Sequence, residues 1–420
     1  MKNLYIILFV LPLIGFGQGW YSSYDISQES KLPFQIVHQT SDDGYIVTGS
    51  YSGGIYLLKT NQNGDSLWYK SFYENFFQRG SYSVEQTHDD GYIMTGWKRE
   101  SEDELTDCWI MKTDSIGNEE WFKEYVGVNG NCKGLSVLQT DEENYYVFSG
   151  FSIIDSESSP PIINVSLIKT DTLGYPVWYK TFGDTINIGW SVKETFDNGY
   201  VIFGEGRISQ KTESYIIKTN ENGEIVEEEG GFEIYHTSDK YETRMFSGEQ
   251  TSDGGYVICG QTTEEVGDDY ISSLLVIKTF ENGNIDWEYD DPDKTGRSIQ
   301  QTSDGKYIVG GKKDGYIYVV KLFNDGSYEW SQTLDVYIPG LSVDIKETSD
   351  LGYIVCGGNY LIKMDSEGNV TSTIELPTPT RKRELIKTTN ILGQENTTIK
   401  NQLLIEIYDD GSTEKKIVIE

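Results

Sequence analysis

The chain has 420 residues, more than one ordinary compact core holds unless it is divided into repeated units that bury their apolar faces against one another. With 44 Gly, 30 Tyr and only 9 Pro, it suits many strands joined by tight turns and excludes a protein of long helices or of disorder. Asp and Glu number 67 against 34 Lys and Arg, a formal charge of -33 that repels a phosphate backbone and excludes nucleic acid as a partner.

Residues 1–17 start with Lys2 and Asn3, continue through the apolar run Leu4 to Ile14, and end on the small residues Gly15 and Gly17. This is the layout of a cleavable secretory signal, with processing near Gln18. The run is too short for a membrane span, so the mature chain is expected to lack one and to be secreted or held at the outer cell surface after crossing the periplasm. No Cys follows the run, which leaves a lipid anchor unsupported. The four cysteines are too few for a disulfide scaffold. Cys259 and Cys356 share one repeat position with Thr48, Thr95 and Ser149 and read as small packed residues, while a Cys108–Cys132 bridge stays open.

From Gln39 onward a pattern of the type Gln-Thr-Ser-Asp-Asp-Gly-Tyr-Ile-Val returns seven times. Its Thr stands at Thr40, Thr87, Thr140, Thr195, Thr251, Thr302 and Thr348, with spacings of 47, 53, 55, 56, 51 and 46 residues. A period near fifty built from strand-forming residues predicts an all-β, seven-bladed β-propeller of four-stranded blades over residues 18–375. In the second repeat the strands are Tyr82–Thr87, Tyr92–Trp97, Cys108–Thr113 and Glu120–Tyr125. The turn His88-Asp89-Asp90-Gly91 is expected to use Gly91 for a positive φ. A second turn glycine recurs at Gly64, Gly117, Gly174, Gly223, Gly283, Gly326 and Gly368; five of these are followed four residues later by Trp68, Trp121, Trp178, Trp287 and Trp330. Repeats four and seven carry Glu227 and Ser372 there. Trp20-Tyr21 matches Trp68-Tyr69 but precedes every complete unit, so Gly19–Tyr24 is expected to supply the outer strand of the seventh blade, with Val370–Ile374 as the competing segment.

The motif Thr113-Asp114-Ser115-Ile116-Gly117-Asn118-Glu119-Glu120-Trp121 resembles the tryptophan-docking repeat of quinoprotein-type propellers and the repeats of proteins secreted by gliding, polysaccharide-degrading bacteria. That resemblance implies a fold and no particular activity. The adjacent cysteines of quinoproteins have no counterpart, so no quinone cofactor is implied.

Residues present in every unit are expected to be architectural. They are the tyrosines Tyr45, Tyr92, Tyr145, Tyr200, Tyr256, Tyr307 and Tyr353, and the lysines Lys59, Lys112, Lys169, Lys218, Lys278, Lys321 and Lys363, which are placed to meet turn carboxylates such as Asp42 and Asp89. Gln39, Gln86, Gln139, Glu194, Gln250, Gln301 and Glu347 precede the repeat Thr; they either satisfy neighbouring backbone groups or ring a channel and bind a cation.

A site used once must break the symmetry. The face carrying the links between strands two and three and the blade crossovers does so, with insertions at Lys98–Asp107, Ser152–Asn164 and Gln261–Ser272 and a long fourth crossover, Phe232–Ser247. These elements hold Phe76, Phe77, Arg79, Trp97, Trp190, Tyr235, Tyr241 and Arg244, the mixture of aromatics and guanidinium groups that stacks sugars or anchors a surface protein. The acidic groups Glu100, Glu102, Asp103, Glu104 and Asp290, Asp291, Asp293 offer oxygens to Ca²⁺ but lack the helix-loop-helix ligand spacing, and no cofactor is called for. The three histidines, His38, His88 and His236, form no zinc motif, and neither a nucleophile elbow nor a phosphate loop occurs. The chain therefore reads as noncatalytic, binding a glycan or protein through its long-loop face; the alternative is a glycosidase or lyase working with Asp, Glu and Tyr.

Residues 376–383, with Pro377, Pro379 and the basic Arg381-Lys382-Arg383, read as a linker. Beyond it, residues 384–420 alternate apolar and polar over Leu385–Thr389, Leu403–Tyr408 and Lys415–Ile419, a small β module. The elements around Gly393, then Tyr408-Asp409-Asp410-Gly411, then Lys415-Lys416 resemble the C-terminal sorting domain of the Bacteroidetes type IX secretion system. The resemblance implies that the type IX machinery is a partner.

Overall fold

The computed structural model describes residues 20–23, 34–51, 54–72, 78–101, 105–127, 131–141, 145–155, 162–183, 186–208, 211–236, 240–267, 269–338, 340, 342–358, 360–370, 385–390, 403–408 and 413–417. The chain divides into a large unit that includes Gln28–Leu376 and a small one that includes Pro377–Glu420. The only described helix is the 3₁₀ turn Glu227–Glu229, and among the described residues none is long and apolar enough to cross a membrane.

The large unit is seven antiparallel four-stranded sheets, two of which join through a single parallel pairing, Thr212 with Glu242. Blade two runs Gln78–Gln86, Tyr92–Arg99, Asp107–Thr113 and Glu119–Tyr125, as the hydrophobic alternation and the two turns predict. Innermost strands touch in sequence around the ring, and that of blade seven, Val343–Glu347, meets that of blade one, Phe34–Gln39. The outer strand of blade seven is Trp20–Ser23, paired with Tyr360–Lys363. Its register sets Trp20 opposite Lys363, as Trp68 stands opposite Lys59 and Trp121 opposite Lys112. Gly19, Tyr24 and residues 371–374 lie outside the described residues.

Burial is supplied between blades. One cluster joins Ile46, Ile55 and Leu57 of blade one to Val84, Tyr92 and Met94 of blade two, and comparable clusters follow at the next five junctions. Trp68, Trp121, Trp178, Trp287 and Trp330 each pack against the next blade's repeat tyrosine, Trp68 on Tyr92 at 5.8 Å and Trp287 on Tyr307 at 5.5 Å between ring centres. The next blade's turn glycine lies under the same indole: a Cβ on Gly117, where φ is 77°, would stand 2.6 Å from the Trp68 ring. Six of the seven repeat lysines are buried and reach the turn carboxylates of their own blade, as Lys59 reaches Asp42 at 2.8 Å and Lys278 reaches Asp253 at 2.9 Å. In blade three, where Tyr145 stands at the place of the turn glycine, Lys169 lies over that ring at 4.5 Å.

Several expectations are corrected. The third repeat tyrosine is Tyr146, not Tyr145: Tyr146 pairs with Gln139 and receives Trp121 at 5.8 Å, because that turn is one residue longer. The positive φ of the first turn falls on Asp90 (62°), whereas Gly91 is required because a Cβ there would meet the Thr113 carbonyl oxygen at 2.3 Å. Phe232–His236 is no crossover but the outer strand of blade four, where the 3₁₀ turn displaces Glu227 and Phe232 takes the tryptophan's place opposite Lys218 and against Tyr256 at 5.8 Å. The insertion Gln261–Ser272 is largely ladder, since Tyr256–Val266 and Asp269–Thr279 form one extended hairpin.

Cys108 and Cys132 form a disulfide between blades two and three, with Cα atoms 5.1 Å apart. Cys259 and Cys356 are free and buried. The small unit is a three-stranded antiparallel meander, Leu385–Asn390, Leu403–Tyr408 and Thr413–Ile417. It carries Tyr408, Lys415 and Lys416, while Gly393, Asp409, Asp410 and Gly411 lie outside the described residues.

Candidate functional site

Six of the seven inner strands carry a register shift at one equivalent position. The extra residue of a bulge is released from the ladder, and its side chain is re-aimed. Glycine on the second strand makes this feasible: a Cβ on Gly150 or Gly260 would stand 1.8 Å from the carbonyl oxygen of Lys133 or Arg244 just before the bulge. The bulged residues of blades two to six are Tyr82, Leu135, Trp190, Phe246 and Arg297, a different side chain in each.

Three of these meet at the mouth of the ring, on the face of the long hairpins. Trp190 packs edge-on to Phe246 at 5.6 Å, and the Arg297 guanidinium covers the Phe246 ring at 4.1 Å. They line a cavity of about 620 Å³ together with Arg244, Gln261 and Tyr270. Arg297 donates from Nη2 to Gln261 Oε1 at 2.9 Å, while its buried Nε has no acceptor among the described residues. Burial pushes the Arg297 guanidinium down to about 10. Arg244 is held by Glu242 at 3.2 Å and approaches Glu205 at 3.9 Å. Burial raises the Glu205 carboxyl, an effect only partly offset by Arg244 and the Trp190 indole.

Below the mouth, a second cavity of about 460 Å³ follows the axis and is lined from all seven inner strands; it shares Trp190, Phe246 and Arg297 with the first. At the position just before the repeat Gln or Glu, the blades present in turn His38, Glu85, Leu138, Lys193, Glu249, Gln300 and Lys346. Asp344 replaces the serine found two residues earlier in blades two to six (Ser83, Ser136, Ser191, Ser247, Ser298) and binds Lys346 at 3.2 Å. Burial, reinforced by Lys346 and Lys193, pushes the His38 imidazole down to about 3 and leaves it neutral. Burial also pushes Glu85 up to about 7 and raises Glu249. For Asp344 burial acts the same way, but Lys346, the Ser298 hydroxyl and the Val37 N–H outweigh it and hold the carboxylate low.

No protein-family model matches the chain, and no curated protein does. Among solved structures it is similar to the Pan2 WD40 domain of Neurospora crassa, at 12% identity and a TM-score of 0.54, covering 86% of this chain and 98% of that one. It is also similar to the Dos1 propeller, at 9% identity and a TM-score of 0.52 over 85% and 83% of the two chains. The chain is a β-propeller. At these identities the likeness extends to the fold alone.

Of the residues expected to bind ligand, the propeller brings Trp190 and Arg244 into one cavity. Tyr241 stands at its rim, 47% exposed and packed 5.3 Å from Tyr270. Arg79 and Trp97 belong to blade two instead: Arg79 is buried, and Lys133 of blade three lies over the Trp97 indole at 4.2 Å. Phe76 and Phe77 lie outside the described residues, as does the side chain of Tyr235. The amide ring is structural. Gln39 accepts from the Ser349 N–H and Gln86 from the Ser41 N–H, both at 2.7 Å, and the other five accept from the preceding blade in the same way. Asp291, one of the proposed cation ligands, is taken up by Lys294 at 2.6 Å and the Tyr318 hydroxyl at 2.8 Å. Among the described residues no three His, Cys, Asp or Glu side chains come together as metal ligands. Phe246, Arg297 and the charged channel residues escaped the sequence reading, although comparing the seven repeats column by column shows that both positions vary where the architectural columns do not.

Proposed function

We propose that this propeller is a noncatalytic, exported binding module whose ligand is a glycan held in the mouth between blades four and six. The observation that carries the reading is the row Trp190–Phe246–Arg297, placed by bulges in a cavity of about 620 Å³, with a buried Arg297 Nε that has no acceptor among the described residues. Apolar ring faces beside fixed donors suit a sugar's C–H face and hydroxyls. On a glycan array, Trp190→Ala and Arg297→Ala are each expected to weaken retention about tenfold or more, the loss from one desolvated anchor. Retention undiminished in both variants would remove the mouth from the account, and capture of a protein in place of any glycan would replace the ligand class.

Export is part of the same proposal. The leader-like residues 1–17, the resemblance of residues 384–420 to a type IX sorting domain, and the Cys108–Cys132 disulfide, a bond favoured in oxidising compartments, support a chain that leaves the cytoplasm. Deleting residues 384–420 is expected to strand the folded propeller in the periplasm on cell fractionation. Release at the undeleted level would refute the sorting role.

A further inference from the structure

Among the described residues, the channel beneath the mouth contains one cation whose purpose the fold leaves unexplained. Its carboxylates are engaged: Glu85 accepts from the Gln139 N–H at 3.1 Å, Glu249 from the Gln301 N–H, and Asp344 from Ser298 at 2.5 Å and from the Val37 N–H at 3.0 Å. Lys346 is paired with Asp344. Gln300 gives its Oε1 to the Glu347 N–H at 2.7 Å. Lys193 lines the same cavity, yet among the described residues no hydrogen bond and no carboxylate within ion-pair distance holds its ammonium. The side chain is part-buried, and a cation on a cavity wall with no carboxylate partner can meet an anionic group of a ligand. Burial lowers its proton affinity, Lys346 lowers it further, and the more distant Glu85, Glu249 and Asp344 offset this only in part.

Lys193 stands three residues beyond Trp190 on the inner strand Asn187–Glu194, about 10 Å along at the ordinary strand rise. Trp190, Phe246 and Arg297 line both cavities, so a ligand on the aromatic row lies beside the channel that Lys193 lines. We infer that the glycan is an acidic one, a terminal uronic acid whose ring rests against the Trp190–Phe246–Arg297 row and whose carboxylate pairs with Lys193 in the channel. This rests on the mouth being the glycan site. It also explains how a chain of charge -33 takes an anion: the local field inside the channel, not the overall charge, faces the ligand.

The test uses the full chain titrated calorimetrically with methyl β-D-glucuronide and methyl β-D-glucoside, which differ only at the carboxylate. The glucuronide is expected to bind at least about tenfold tighter, as one charge-assisted contact provides. Lys193→Gln should bring it down to the glucoside's level, and Lys193→Arg should restore the preference. Equal binding of the two sugars, or a preference that survives Lys193→Gln in a folded protein, overturns the acidic ligand while leaving the glycan-binding mouth standing. Failure of the wild-type protein to bind either sugar, or tighter binding of N-acetylglutamate than of the glucuronide, overturns both.

Discussion

Asp344→Ala is expected to lower the unfolding free energy by about 3–5 kcal/mol, the usual cost of removing one member of a buried ion pair. The loss should exceed that of deleting a surface charge because this carboxylate, 5% exposed, acts at three places. It neutralises Lys346 at 3.2 Å, accepts from the Ser298 hydroxyl of blade six at 2.5 Å, and accepts from the Val37 N–H of blade one at 3.0 Å. Its removal leaves an ammonium and a backbone N–H buried without partners and loosens both junctions of the closing blade. Urea unfolding of Asp344→Ala and of the double variant Asp344→Ala, Lys346→Met checks the reasoning: the double variant should recover part of the loss, since the stranded cation is gone. Equal destabilisation of the two would show that the hydrogen bonds, and not the charge, carry the effect.

Glu85→Gln should do the reverse. The Glu85 carboxyl is pushed from its ordinary 4.5 up to about 7 by burial, so the folded chain retains a proton that the unfolded chain releases. For a carboxyl raised on folding, stability is greatest below the unfolded value, falls as pH rises between about 4.5 and 7, and is flat above. Glutamine keeps an oxygen for the Gln139 N–H and removes the ionisation. The variant should therefore be more stable than wild type by about 2–4 kcal/mol near pH 8 and equal to it near pH 4. Denaturation midpoints measured across that range decide the matter; a difference that does not change with pH would mean the carboxyl ionises freely in the channel.

The architecture was legible because its determinants recur. Trp68, Gly117 and Tyr92 form one interblade contact that the sequence spells out several times over, and each copy corroborates the others. The same redundancy even placed Trp20, whose match to Trp68 anticipates its pairing opposite Lys363. Where a copy is degenerate the reading slipped. Glu227 held the tryptophan's place by count, but the 3₁₀ turn inserted there carries the strand on to Phe232, and a length change of this kind has no signature in composition. The site was half legible. Trp190, Tyr241 and Arg244 are conspicuous residues in elements that depart from the repeat, whereas Phe246 and Arg297 look like ordinary strand residues until the bulge turns them. The channel charges were hidden by their neighbours: Gln39 and its equivalents are uniform and attract attention, yet uniformity marks the scaffold, and of the varied residues immediately before them His38, Glu85, Lys193 and Lys346 line the axial channel.

The pairing of Trp20–Ser23 with Tyr360–Lys363 also governs when the molecule can become whole. Polypeptide emerges from the ribosome amino end first, so the strand needed to complete the last sheet is made early and must wait for its counterpart. Until then six sheets stand in an arc with unsealed margins, and joining the two ends carries the entropic toll of the longest loop in the chain. Sealing the ring is thus the last step of assembly, since it needs both ends of the propeller at once.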